Sequence, residues 1–322
     1  MSEVANLTAF APFDGLAPQR ELAARIARLV PGDGVHQSAI DALSLIQASA
    51  PSQPCAAVYQ PSLCVVVQGS KQARLGDEVF VYDALNYLVV SVTLPVIGQI
   101  LTATPAQPYL CLRINLDLRM LGELVLQVPP AAPRPSDRAL FLARTELPLL
   151  DALLRLVRLL DTPQEIPVIA PLILREISYR ALGGDLGYRL RDLVVADGGG
   201  QRIGRAIDLL KARYAEALRM EELADAAHLS VSALHHRFKA VTSLSPLQFQ
   251  KSLRLHEARR LMLSEGLEAA VAAHRVGYES ASQFSREFKR FFGRTPLAEV
   301  AWMKATYALP QSATPSEYVS SH

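Results

Sequence analysis

The sequence predicts an α+β fold, with a β-rich N-terminal domain followed by an all-α C-terminal domain. Short β-branched runs separated by Gly, Pro and Asp or Asn occupy residues from about 38 to 117. Helical periodicity follows the Pro-rich patch at 128–137, and a helical motif occurs twice beyond the Gly-rich stretch at 197–200. The predicted divisions are an N-terminal domain at 1–197, a C-terminal domain at 198–308 and a flexible tail at 309–322.

The charge is distributed unevenly along the 322 residues, although the whole chain has a net charge of only +2. Residues from 199 onward include 17 basic and 12 acidic side chains, a net charge of +5. The preceding residues include 16 basic and 19 acidic side chains, a net charge of −3. A basic C-terminal part beside an acidic remainder favours a polyanion as the partner of the C-terminal domain.

Cysteine content and hydropathy indicate a reducing, aqueous compartment. Cys55, Cys64 and Cys111 are odd in number and lack CxxC spacing, which favours buried thiols over disulfides or a zinc site. The N-terminus has no basic segment before an apolar core, as a signal peptide would. The most apolar stretch, 87–101, is interrupted and too short to span a bilayer. We expect a cytoplasmic protein without membrane contact.

The N-terminal domain begins with a short helix, predicted at 22–30 and ended by a Pro-Gly pair. The strands follow in the runs LCVVVQG, ARLGDEVFVY, YLVVSVTLPV and LCLRINLDL, with Gly69, Gly76 and Asp77 at turn positions. Strands of this length and spacing predict a sandwich or a small barrel at about 38–117.

Two amphipathic helices are predicted between about 138 and 190. The segment at 149–161 carries its leucines on one stripe, and the segment at 171–184 begins with Pro and ends with paired Gly. Their apolar stripes must be buried either on the barrel or on a second copy of the chain, and the sequence leaves both alternatives open.

The C-terminal domain contains one pattern twice, as LADAAHLSVSALHHRFKAVTSLSP (223–246) and AAHRVGYESASQFSREFKRFFGRTP (272–296). When Phe238 is aligned with Phe288, both copies contain a short helix, a tight turn and a longer helix. Gly277 in the second turn suits a positive φ. The pattern predicts two helix-turn-helix units.

A single long helix is predicted to join the two units at 245–263. Ser245 and Gln248 form a capping box, with Pro246 at the first helical position. A rigid helix would fix the distance between the units, and helices that read one face of B-DNA lie about 34 Å apart.

The longer helix of each unit has an apolar face and a polar, basic face. Phe284, Phe288 and Phe291 anchor the second one, so the opposite face is available to the major groove, where every base pair has a distinct pattern of donors and acceptors. One such face is usually only solvated, but two linked copies favour DNA binding. The predicted base-reading residues are Ser232, His235, His236, Ser282, Gln283, Ser285 and Arg286.

Arg286 is the strongest candidate, because its guanidinium can bond guanine O6 and N7 together. Gln283 suits adenine, but Ser280 and Gln283 also match a capping box, and both interpretations stay open. Phosphate contacts, which set register without reading sequence, are predicted for Lys239, Lys251, Lys289, Arg290 and Arg294.

Residues from about 200 to 305 resemble the DNA-binding domain of AraC/XylS-family transcription regulators, on VGYESASQFSREFKRFFGRTP. Residues 38–190 are similar to the AraC-type regulator N-terminal domain, on YQPSLCVVVQGSK (59–71), LGDEVFVYDALNYLVVSVTLPV (75–96) and PLILREISYRALGG. The resemblance implies a cupin-like β-barrel with dimerisation helices, double-stranded promoter DNA and RNA polymerase as partners, a homodimer and a small-molecule effector.

Cupin-like folds often hold a metal through histidines, but this chain has no histidine between 37 and 227. It also lacks GxSxG, HExxH and a phosphate-binding glycine loop, so we expect no metal, no cofactor and no enzymatic activity. The candidates for lining a small-molecule pocket are Tyr59, Gln68, Lys71, Tyr82, Tyr87 and Arg113.

Two other function classes remain open at this point. A cupin-type enzyme with a vestigial helical tail would contain a stoichiometric metal. A protein–protein adaptor would bind polypeptides through its helical domain in the absence of DNA binding.

Overall fold

A computed structural model describes residues 17–128, 138–184, 186–194 and 199–307. The predicted tail at 309–322, the start of the Gly-rich linker and most of the Pro-rich patch lie outside the described residues. The chain begins with helix α1 (Ala17–Leu29), which covers most of the predicted helix. The strands that follow are β1 (Gly34–Gln37), β2 (Leu43–Ala48), β3 (Cys55–Tyr59), β4 (Ser62–Gln68), β5 (Ser70–Leu75), β6 (Glu78–Tyr82), β7 (Asn86–Val90), β8 (Leu94–Thr102) and β9 (Tyr109–Asn115).

These strands form two facing antiparallel sheets. The larger sheet has the order β1-β2-β9-β4-β7-β10, where β10 is Leu140–Arg144, and the smaller sheet has the order β3-β8-β5-β6. Strand β10 (Leu140–Arg144) lies in the segment that we expected to be helical, and it pairs with β7 in the register Leu140 to Val90. The prediction missed β10 because its partner lies about 50 residues earlier and its five residues are mostly apolar, without clear alternation.

The remaining N-terminal helices are α2 (Leu118–Val125), α3 (Leu147–Arg158), α4 (Ile166–Gly183) and α5 (Gly187–Arg191). The predicted amphipathic helices correspond to α3 and α4, but α4 begins one turn before Pro171, which therefore lies inside it. Pro167 is the proline of the first turn, where no backbone N–H is required. The leucine stripe of α3 is buried within the described chain itself, so a second copy of the chain is not needed to cover it.

The C-terminal domain consists of α6 (Gly199–Ala212), α7 (Met220–Ala226), α8 (Val231–Thr242), α9 (Pro246–Ser264), α10 (Ala269–Arg275), α11 (Ala281–Phe292) and α12 (Pro296–Tyr307). The predicted capping box at the start of α9 is present, since Ser245 accepts from the Gln248 N–H and Gln248 accepts from the Ser245 N–H. The α+β fold with two helix-turn-helix units joined by one helix is confirmed.

The two helix-turn-helix units differ in how they are anchored. The core of the first unit, including Leu234 and Phe238, is continuous with the core of the barrel. The second unit has its own core, which contains Phe284 and Phe288.

Among the described residues, no helix combines the length and apolar character that crossing a bilayer requires.

The barrel contacts both halves of the helical domain through polar groups. At the first unit, the Ala139 N–H donates to the Val241 carbonyl at the end of α8. At the second, Arg259 of α9 donates through Nη2 to the Ala56 carbonyl of β3 at 2.6 Å. The barrel and the C-terminal domain therefore form an interface that spans the joining helix.

Candidate nucleic-acid interface

Local capping and turn geometry set the orientation of α8 and α11, which are the predicted recognition helices. Ser230 caps α8 by accepting from the Ala233 N–H, and Ser280 caps α11 by accepting from the Gln283 N–H. The turns contain residues with positive φ, namely His228 at 51° and Gly277 at 87°. The positive φ that the sequence predicts for Gly277 is confirmed.

The apolar side of α11 is buried in the core of the second unit. Phe284 and Phe288 are fully buried, with ring centres 5.3 Å apart, and the Tyr278 ring lies edge-on to Phe284 at 5.3 Å. Phe291 is half-buried and contacts the ring of His256 edge-on. The anchored face leaves the opposite side of the helix in solvent.

All seven candidate base-reading residues are exposed, on α8 and α11: Ser232, His235, His236, Ser282, Gln283, Ser285 and Arg286. Within the described contacts, Gln283 does not accept from the Ser280 N–H as a capping box requires, and its Nε2 donates to Glu287 Oε1 at 3.4 Å. The capping role at this position belongs to Ser280 alone.

The five candidate phosphate contacts differ in their exposure and in the groups that they contact. Lys239, Lys289 and Arg290 are exposed on the recognition helices. Lys251 is exposed on α9 but pairs with Glu287, Nζ to Oε1, at 3.0 Å. Arg294 is half-buried, and its guanidinium carbon lies 4.2 Å from the centre of the Trp302 ring.

Sequence reasoning missed Arg237 and Arg254, which both contribute to this part of the domain. Arg237 is exposed on α8 beside the two histidines, and the repeat alignment places it opposite Glu287. Arg254 of α9 donates to the carbonyls of Tyr214 and Gly277, and so ties the turn of the second unit to the joining helix. Aligning the two repeats could have identified Arg237. The contacts of Arg254 could not be predicted, because they join its side chain to backbone carbonyls that are distant in the sequence.

The barrel encloses a narrow chamber between its two sheets, with about 10 Å³ of free space. Four of the six candidate pocket residues line it: Tyr59, Lys71, Tyr82 and Arg113. Gln68 lies instead in an outer groove beside α1, and Tyr87 lies in a cleft between the barrel and α4. None of the described residues that line the chamber is acidic.

Lys71 is 4% exposed, and its Nζ lies 5.6 Å from the centre of the Tyr59 ring. Burial raises the pKa of the neighbouring Cys111 thiol to about 12 and also raises that of Cys64, so both thiols are neutral. The three cysteines are free and buried, as predicted. Within the described residues, no group of three His, Cys, Asp or Glu side chains is arranged to hold a metal.

Two family models match the chain, in the order that the two sets of motifs predict. The model for the AraC-type transcriptional regulator N-terminus matches residues 39–189, and a helix-turn-helix domain model matches residues 223–299. Because the models cover both domains, they assign the whole architecture and not only the DNA-binding motif.

Similar proteins and structures agree with this assignment. The chain is 36% identical over 95 residues to RclR of Escherichia coli strain K12, an RCS-specific HTH-type transcriptional activator, and 34% identical over 95 residues to RhaS of Escherichia fergusonii. Each match covers 30% of this chain and 34% of the relative, so the chain spans about a third of the length of the curated relatives it matches.

The solved structure of ToxT from Vibrio cholerae has the same fold, with a TM-score of 0.54 at 12% identity over 80% of this chain and 97% of that chain. This similarity confirms the arrangement of a sheet-rich domain followed by a helical domain. The N-terminal and helix-turn-helix models, with the curated relatives, confirm the resemblance read from the motifs: the chain belongs to the AraC/XylS family of transcription regulators.

Proposed function

We propose that the protein is a sequence-specific transcription regulator that reads two successive major grooves of promoter DNA. The observation that carries the proposal is the pair of recognition helices, each buried on its apolar side and exposed on a polar, basic side. Helix α9, with 19 residues, joins the units and is about 28 Å long at 1.5 Å per residue. That length is comparable to the ~34 Å between successive major grooves on one face of B-DNA.

Arg286 and Lys289 are expected to contribute differently to DNA binding. Arg286→Ala should relax base preference at one position and weaken binding to the preferred site by about 1–3 kcal/mol, because a bidentate contact to guanine is lost. Lys289→Ala should weaken binding to all sequences alike and reduce the salt slope by about 0.9, because one phosphate contact is lost. Gel-shift titrations at several salt concentrations, on a duplex selected from a random pool and on its scrambled form, measure both effects.

Equal affinity of the wild-type chain for the selected and scrambled duplexes would contradict the proposed specificity.

The curated relatives are named transcriptional activators, and we extend activation, with RNA polymerase as a partner, to this chain. Transcription in vitro from a promoter that carries the selected site tests that extension.

We further propose that the barrel chamber admits a small molecule with an anionic group. Lys71 and Arg113 bring two basic groups to a chamber whose described lining contains no acid. Two of the ToxT structures are described as bound to an unsaturated fatty acid and to (E)-4-(8-methylnaphthalen-1-yl)but-3-enoic acid, and both ligands are carboxylic acids. Because the free space is small, side chains must move when a ligand enters.

Lys71→Met is expected to weaken binding of a carboxylic acid about 10–100-fold, because a charge-assisted hydrogen bond contributes about 1.5–3 kcal/mol. The control is Arg74→Met on the same strand, since Arg74 is exposed and Lys71 is buried. Thermal-shift titration with a panel of carboxylic acids and their primary amides measures the difference. If the acids stabilise the Lys71→Met protein as much as the wild type, the anionic assignment is wrong.

Helix α4 supplies the surface that we propose for a homodimer. Val168, Leu172 and Tyr179 are 68%, 62% and 49% exposed and fall on one stripe of the helix. An exposed apolar stripe of this kind is best buried against its own copy in a symmetric contact. Sedimentation equilibrium of the full chain tests this proposal.

A further inference from the structure

Recognition helix α11 contains one acidic residue, Glu287, although the surface around it is basic. The corresponding position of α8 is Arg237, and the sequence of α8 contains no acid. A carboxylate beside the DNA backbone is repelled by the phosphates, so its presence on a helix that reads DNA requires a compensating role.

Three donors from three different elements converge on the Glu287 carboxylate. Lys251 of α9 donates to Oε1 at 3.0 Å, Tyr278 of the turn donates its hydroxyl to Oε2 at 2.9 Å, and Gln283 of α11 donates to Oε1 at 3.4 Å. The Glu287 side chain is 14% exposed, whereas that of Lys251 is 45% exposed. The carboxylate therefore lies between the buried Tyr278 and the two exposed side chains of Lys251 and Gln283.

The cluster holds its negative charge. Burial opposes ionisation of Glu287, but the hydrogen bonds from Lys251, Tyr278 and Gln283 outweigh burial and hold the pKa of this carboxyl below its ordinary value. Lys251 consequently has an intramolecular counter-charge at 3.0 Å. It is not equivalent to Lys289, which is exposed on the same surface.

The cluster also sets which end of the Gln283 amide is available to a base. Because Nε2 donates to Glu287, the carbonyl oxygen Oε1 is the end of the amide that is not bonded to this carboxylate. An acceptor matches the amino group of adenine N6 or cytosine N4 in the major groove, and does not match guanine O6 or thymine O4.

We propose that Glu287 is a positioning residue that determines specificity, because it orients Gln283 toward an amino-bearing base and withholds Lys251 from non-specific phosphate contact. This inference rests on the proposed function and deepens it. It reverses the role that the sequence favours for Lys251, from a phosphate contact to the partner of an acid.

The test is Glu287→Gln in the full-length chain, with Glu279→Gln as the matched control. Glu279 is an exposed acid that lines one surface groove together with Lys251 and Glu287, so its substitution removes the same charge and leaves the Lys251–Glu287 pair intact. The probes are a duplex selected from a random pool by the wild-type chain, its scrambled form, and single-base variants of the selected duplex.

Glu287→Gln is expected to bind the scrambled duplex more tightly, to lower the ratio of specific to non-specific affinity about tenfold, and to steepen the salt slope by about 0.9, which corresponds to one added phosphate contact. It should also broaden base preference at one position from adenine or cytosine to all four bases. Glu279→Gln should change none of these ratios. Lys251→Gln on its own should leave the salt slope unchanged, and in the Glu287→Gln background it should restore the wild-type slope.

Three results would overturn the inference. One is an identical salt slope and base preference in the Glu287→Gln and Glu279→Gln proteins. Another is a lower melting temperature of Glu287→Gln with an unchanged specificity ratio, which would indicate a role in packing alone. The third is a salt slope about 0.9 shallower in Lys251→Gln, which would make Lys251 an ordinary phosphate contact. If the wild-type chain itself prefers no sequence, the proposed function fails first and this inference falls with it.

Discussion

Replacing Arg259 by alanine is expected to lower the free energy of unfolding by about 3–5 kcal/mol, because it breaks a buried ion pair from one side. Arg259 is 1% exposed, and its Nη1 lies 3.1 Å from Oε1 of Glu299, which is 2% exposed. The substitution also removes the donor to the Ala56 carbonyl and the cation that lies 4.4 Å from the centre of the Phe292 ring. A buried carboxylate would remain with its main partner lost.

The neighbouring residue Arg260 provides the control for this prediction. Its pair with Glu257 lies within one helix and is partly exposed, at 26% for each side chain, so Arg260→Ala should cost less than about 1 kcal/mol. Urea unfolding followed by circular dichroism compares the two. The double variant Arg259→Met/Glu299→Leu should recover most of the loss, because no charge is then left buried. Equal losses of unfolding free energy from Arg259→Ala and Arg260→Ala would show that the buried Arg259–Glu299 pair contributes no more to stability than an exposed pair.

Gly277→Ala is expected to cost about 2–5 kcal/mol and to displace the recognition helix of the second unit. The φ of Gly277 is +87°, a region that costs an L-residue about 1–2 kcal/mol. An added Cβ would also lie 2.1 Å from the carbonyl oxygen of Ala215, a backbone atom that Arg254 helps to hold. Overpacking of this kind typically costs about 1–3 kcal/mol more.

Gly293→Ala separates the two contributions, because Gly293 has a similar φ of +80° but no heavy atom within 4 Å of an added Cβ. It should lose only the dihedral contribution of about 1–2 kcal/mol. Thermal unfolding gives the stabilities, and gel-shift titration gives the affinity for the selected duplex, which should fall for Gly277→Ala only. Matching losses of stability in the two variants would show that the structure accommodates the added Cβ beside the Ala215 carbonyl without strain.

The C-terminal domain could be predicted from the sequence because its determinants are local. Serine caps, a turn glycine and phenylalanines at helical spacing all act within a dozen residues, and the duplicated pattern supplies its own internal comparison. The structure reproduces the helices, the capping box at Ser245 and the positive φ of Gly277.

The parts that escaped prediction depend on contacts between distant residues. Strand β10 is recognisable only through its pairing with β7, and the bond between Arg259 and Ala56 joins residues 203 positions apart. Inward and outward positions of the barrel cannot be assigned from mostly apolar strands. For this reason Gln68 and Tyr87 were predicted to line the chamber, although the structure places both outside the chamber that Lys71 lines. Glu287 was overlooked because a lone acid in a basic helix suggests solvent exposure.

The uninterrupted helix α9 restricts how the length of this protein can change in evolution. One residue added to an α-helix turns everything beyond it by about 100° and advances it by about 1.5 Å. A single-codon insertion within Pro246–Ser264 would therefore rotate the second unit by about 100° relative to the first unit. Adding two full turns, seven residues, would nearly preserve the angle but shift the second unit by about 10 Å, roughly three base pairs. Substitution, and not insertion or deletion, is the route by which this segment can diverge.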